Sequence, residues 1–198
     1  RGGLELFGMP GMCHTFYEYS KDFPKDKPEY FSLTASGTRE RAVSGVGPGQ
    51  LCLTHPEVRR LMVEKLVSYI KTDRTRTNRV CPPRIYVITG NDNTSYCRCD
   101  ACMAYTKKGG NYTDTTLEFI NHIAASVEKD YPDVKILTMA YTYTIEPPKF
   151  EKPRKNVIIQ LANLGKEFTN SGISETLRPI GDPSNKEFAG ILESWKNI

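Results

Sequence analysis

Long hydrophobic runs are missing from this sequence. No uninterrupted apolar stretch exceeds five residues, which excludes a transmembrane helix. Glycine and proline, 15 and 13 of 198 residues, are too near average for a fibrous or low-complexity chain. No internal repeat is present. Charge of one sign is also lacking: 27 Lys and Arg stand against 23 Asp and Glu, a net charge of +4. The basic residues are scattered, densest at Arg39–Arg41 and Arg74–Arg79, and no nucleic-acid motif accompanies them, so they read as solvated surface. A P-loop, a dinucleotide fingerprint and a Gly-x-Ser-x-Gly elbow are all absent, and the chemistries they serve have no support here. Six cysteines in 198 residues are too sparse for a disulfide scaffold. Leu, Ile, Val and Phe make up 44 of the 198 residues, enough for a folded core.

Three segments carry helix-start signals followed by apolar stripes at helical spacing. Thr54-His55-Pro56-Glu57 reads as a capping box before Val58, Leu61, Met62, Leu66, Tyr69 and Ile70. Thr115-Thr116-Leu117-Glu118 is a second box, with Leu117, Ile120, Ile123, Ala124 and Val127 behind it. Ser184-Asn185-Lys186-Glu187 is a third, leading to Phe188, Ile191, Leu192 and Trp195. Between them lie β-branched runs at Gln50–Leu53, Arg84–Thr89, Lys135–Tyr141 and Asn156–Leu161. These runs are almost continuously apolar, as strands covered on both faces of a parallel sheet are. Strand and helix alternate, which is the α/β pattern. The stretch from Ile145 to Lys155 breaks it with Pro147, Pro148 and Pro153 and no helical period. Either a loop replaces the crossover helix there, or the flanking strands are not parallel neighbours.

Ligands of parallel α/β folds bind at the carboxyl ends of the strands. The sequence delivers to those ends Cys13-His14-Thr15-Phe16-Tyr17, Asn91 and Asp92, Tyr141 and Tyr143 with Glu146 beyond, and Gln160 and Asn163. Amides, aromatic rings and a few carboxylates suit sugars, whose C–H faces stack and whose hydroxyls need paired donors and acceptors.

The ordered segments His14–Tyr17, Lys27–Leu33, Gln50–Val58, Gly90–Asn93 with Cys97-x-Cys99-x-x-Cys102, and Ala140–Thr144 with Pro147-Pro148 resemble a domain family of unknown function. That family occurs in bacterial polysaccharide-utilisation proteins and is similar to α-glucuronidase-type glycoside hydrolases. The resemblance runs from about Cys13 to Trp195. It implies a (β/α)8 TIM-type barrel, of which residues 1–198 would be a single central portion truncated at both ends, roughly the second to sixth strands. It also implies a carbohydrate partner and an extracytoplasmic location.

On this reading Asp92 and Glu146 are the candidate catalytic carboxylates, because glycoside hydrolysis uses a pair. Asp92 read on its own is equally an Asx-turn residue. His14, Asn91, Tyr141 and Tyr143 are the candidate sugar contacts, the two tyrosines as a stacking pair. Cys97, Cys99 and Cys102 could ligate zinc with a fourth ligand from Cys81, Cys13 or a histidine, form one disulfide plus a free thiol, or simply pack a loop. Three functions follow: a glycoside hydrolase of acidic or complex polysaccharide, a non-catalytic carbohydrate-binding barrel, or a zinc-organised interaction module.

Overall fold

Three short parallel strands form the sheet of the computed structural model, which describes residues 6–76, 81–162 and 179–198. They are β1 (Ile85–Val87), β2 (Lys135–Ala140) and β3 (Val157–Leu161), hydrogen-bonded in that order. Ile85 pairs with Lys135, and Ile136 with Val157. Among the described residues five helices accompany them: α1 (Phe16–Ser20), α2 (Pro56–Thr75), α3 (Asp100–Gly109), α4 (Tyr112–Glu128) and α5 (Lys186–Lys196). The fold is mixed α/β, and among the described residues no barrel exists. The expectation of a (β/α)8 barrel portion is therefore corrected: three strands, not five, join the sheet. The physical reason lies partly in Gln50–Leu53. This apolar run makes only an isolated antiparallel bridge, Leu51 to Phe31, because its backbone closes a loop with residues 30–32 instead of joining the parallel ladder. No described helix is long and apolar enough to cross a membrane.

α2 begins one residue later than the capping box implies. The His55 ring nitrogen Nδ1 accepts the Glu57 N–H at 3.2 Å, and Pro56 occupies the first helical position, where its missing N–H costs nothing. Its apolar stripe, Val58, Met62, Leu66 and Ile70, is fully buried. α4 begins earlier than expected. Asn111 is its cap, accepting the Thr113 N–H at 3.1 Å, so Thr115 and Glu118 fall inside the helix. Glu118 forms a two-pronged ion pair with Arg59 of α2 instead. α3 has no counterpart in the sequence reading. It ends at Gly110, whose φ of 83° is the left-handed closure that glycine adopts without strain. α5 follows a single 3-10 turn capped by Asp182, and Ser184 lies in that turn. The Arg39 and Arg41 side chains do not float in solvent: each donates to backbone carbonyls, Arg39 to Glu29 and Phe31, Arg41 to Lys21, Phe23 and Pro24.

α2 and α4 pack together, and α4 lies against β2 and β3. The core between them holds Met62, Leu66, Ile70, Tyr86, Ile88, Phe119, Ile120, Ile123 and Ile136. β2 and β3 are parallel neighbours although their connection contains no α-helix. The loop is fastened instead by one buried carboxylate. Asp114, in the first turn of α4, accepts the N–H groups of Lys149, Phe150 and Glu151 at 2.9, 3.0 and 2.9 Å.

Candidate functional site

The chain preceding α1 is tied to the carboxyl end of β1 by a reciprocal pair. The Thr15 hydroxyl donates to the Val87 carbonyl at 2.9 Å and accepts the Thr89 N–H at 3.1 Å. His14 is thereby set beside Gly90, whose carbonyl lies 3.1 Å from Nδ1. A carbonyl only accepts, so Nδ1 carries the proton and Nε2 presents a lone pair. The 3-10 turn after β2, Thr142–Thr144, brings Tyr141 to the same place. The His14 and Tyr141 rings meet at 5.7 Å with their planes at 59°. The Tyr141 hydroxyl donates to Asp92 Oδ1 at 2.6 Å. That bond to the carboxylate, ahead of burial, pushes the Tyr141 phenol up to about 12. Asp92 is exposed, and its N–H donates to the Gly45 carbonyl at 2.7 Å.

Beside these residues lies a small cleft that is partly open to solvent. His14, Leu53, Thr138, Tyr141 and Thr142 are among its walls. Two of them have left-handed backbones, His14 at φ 51° and Thr142 at φ 47°, and they are the only non-glycine residues so placed among those described. For a β-branched threonine this conformation costs about 1–3 kcal/mol, and such strain persists where the surroundings impose it, often at functional sites.

The expected site residues are thus partly assembled. His14, Asp92 and Tyr141 converge. Asn91 lines the pocket, but its amide is spent inside the protein: Oδ1 accepts the Tyr17 N–H at 2.9 Å and Nδ2 donates to Gly49 at 3.0 Å. Its backbone is clasped by the Gln50 amide, at 2.7 and 3.0 Å. Tyr143 also borders the pocket, yet its ring packs on Tyr96 and Tyr112 at 5.2 and 5.6 Å, and Tyr141 pairs with His14 instead. Burial pushes the Tyr143 phenol above its ordinary range. Glu146 is exposed and is not among the pocket's walls. Gln160 is exposed at the end of β3, and Asn163 lies outside the described residues.

The clustered cysteines have a partner that spacing alone did not reveal. Cys52, just before α2, joins Cys97, Cys99 and Cys102, with all four sulfur atoms within 4.8 Å of one another. Such a set could hold a metal ion. All six cysteines are free thiols, so the disulfide alternative is not realised, and Cys13 and Cys81 are exposed elsewhere. Hydrogen bonds from Cys52 and Cys97 pull the Cys102 thiol well below its ordinary range, and the same contact with Cys102 pushes Cys52 far above it. Tyr112 bridges the two sites: its ring touches Tyr143 of the pocket, and its buried hydroxyl lies within electrostatic reach of Cys102. Cys52 lies four residues before the start of α2, whereas Cys99 directly precedes α3.

No curated protein and no solved structure matches the chain. A family described as a domain of unknown function, DUF4838, matches residues 3–198, and this chain belongs to that family.

Proposed function

We propose that the pocket beside β1 and β2 binds a carbohydrate, with Asp92 and His14 as its hydroxyl partners and Tyr141 as the ring face. The observation that carries this reading is the exposed Asp92 carboxylate, which is not itself a wall of the pocket but is fixed at 2.6 Å by the hydroxyl of Tyr141, which is. A carboxylate so held keeps one oxygen for a sugar hydroxyl. Nε2 of His14 accepts from a second hydroxyl, and the tilted rings offer apolar faces for the C–H side of a pyranose. A second reading, hydrolysis of the bound glycoside, is favoured by the strained backbones of His14 and Thr142. It requires a second carboxylate about 5–9.5 Å from Asp92, and Glu146 would have to be brought in from its exposed position to serve.

The test is a panel of neutral and uronic-acid oligosaccharides titrated into the protein and followed by calorimetry and by the ring signals of His14 and Tyr141. Binding that shifts both signals and weakens at least tenfold in Asp92→Ala supports the reading. A panel that leaves both rings unmoved rejects it, as does a glycan bound equally well by Asp92→Ala. Release of new reducing ends by the wild type, lost in Asp92→Asn, would add hydrolysis to binding. Binding without release limits the site to recognition.

A further inference from the structure

Four sulfur atoms gathered from three segments need a reason to be together. Cys52 lies before α2, Cys97 and Cys99 lie in the chain that leaves β1, and Cys102 lies in the first turn of α3. Three of the four are buried. A zinc ion bound by four thiolates at about 2.3 Å defines a tetrahedron whose edges are about 3.8 Å. The Cys52–Cys99 and Cys52–Cys102 separations are 3.7 and 4.0 Å.

We propose that Cys52, Cys97, Cys99 and Cys102 bind one Zn²⁺ as a closed, structural tetrathiolate site. The ligands are all sulfur, which selects a soft or borderline metal over magnesium or calcium. Four protein ligands leave no open position for water or substrate, which separates a structural zinc from a catalytic one. Binding converts four thiols and one Zn²⁺ into a dianionic centre and releases four protons to solvent. The surroundings suit a dianion. The Leu33 N–H donates to Cys97 Sγ at 3.4 Å, and the Thr54 hydroxyl lies 3.1 Å from Cys102 Sγ. The Arg39 guanidinium is within electrostatic reach of Cys52 and Cys97. These outer contacts orient ligands as they do around other metal centres. The proposal is independent of what the pocket binds.

The site would staple the entry of α2 to the entry of α3, across 45 to 50 residues of chain. Elemental analysis of protein purified without chelator should give one zinc per chain. Adding Co²⁺ to the reduced, metal-free wild type should produce thiolate-to-cobalt charge transfer and tetrahedral d–d bands. This measurement needs no variant, so misfolding of a mutant cannot obscure it. Cys52→Ser should lose the four-sulfur cobalt spectrum and its zinc, whereas Cys13→Ser and Cys81→Ser should keep both. Metal-free protein with four freely titrating thiols and no cobalt spectrum would overturn the proposal. A red, iron-loaded protein would overturn zinc as the occupant, and full zinc retention by Cys52→Ser would overturn the ligand set.

Discussion

Two neighbouring residues after β1 show how adjacent polar side chains divide between structure and ligand. Asn91 points into the protein and spends its amide on Tyr17 and Gly49, while Asp92 is exposed and its carboxylate accepts from Tyr141. Asn91→Ala leaves buried backbone groups without partners, at about 1–3 kcal/mol for each group that water cannot reach. A loss of about 2–4 kcal/mol in urea denaturation is expected, and a loss below 0.5 kcal/mol would show that the clasp by Gln50 suffices. Tyr141 makes a different prediction. Its folded-state pKa is raised to about 12 by the Asp92 carboxylate, above the unfolded value of about 10. The stabilising hydrogen bond is therefore fully present below pH about 10 and is lost as pH rises through about 12. The stability gap between wild type and Tyr141→Phe should hold constant from pH 7 to about 9.5 and close toward pH 12. In Asp92→Asn, the ring-carbon NMR titration of Tyr141 should fall back toward about 10. A titration unchanged in Asp92→Asn would mean that the bond is absent in solution.

The elements that could be read from the sequence were those whose burial is periodic. The stripes of α2 and α4 and the runs at Ile85, Ile136 and Val157 became helices and parallel strands; α2, α4, β1 and β2 bury a face, while β3 is only half-buried and is held by its pairing with β2. Their starts shifted because several residues competed as caps. His55 and Asn111 won over Thr54 and Thr115 through the geometry of their neighbours, Pro56 in one case and the Gly110 turn in the other. α3 was hidden because Asp100–Gly109 buries only Cys102 and Gly109 and so has no stripe to read. The β2–β3 connection was legible as an alternative, and the structure realises the loop in place of a helix. Asp114 is what makes that loop stable, since it satisfies three consecutive N–H groups that a crossover helix would have bonded internally. Asp114→Asn replaces one acceptor by an NH₂ and sets donor against donor. A destabilisation of about 2–4 kcal/mol is expected, with faster amide exchange confined to 148–152. Uniform exchange across the sheet instead would place the role of Asp114 in the core. Gly109→Ala should resemble it, because a Cβ there would come within 2.2 Å of Asp114 Oδ2 and within 2.8 Å of the Phe150 ring.

At the scale of the molecule, the pocket and the cysteine cluster are neighbours. Leu53, which borders the pocket, follows Cys52, and Tyr143, which also borders it, packs on Tyr112 beside Cys102. Neither link was legible in the sequence, because Cys52 and Cys102 are 50 positions apart and only the folded chain brings them to 4.0 Å. The candidate site residues were legible where they follow a strand, Tyr141 directly after β2 and Asp92 five residues after β1, and not where a backbone twist sets them, as at Thr142. These contacts connect the proposed zinc site to the pocket, so zinc bound there is expected to affect both stability and pocket shape. A ligand that binds only the folded state stabilises it by RT ln(1 + [L]/Kd), or about 1.4 kcal/mol for each tenfold rise in free ligand above Kd. With zinc in the cluster, the unfolding free energy should rise by about that increment per decade of buffered free zinc. Cys52→Ser should flatten the dependence, while Cys13→Ser should leave it intact. Chelation should also move the ring signals of Tyr143 and Tyr141, the first through Tyr112 and the second through the wall they share. Stability that rises with zinc while both rings stay still would confine the metal to fastening α2 to α3 and make the pocket independent of it.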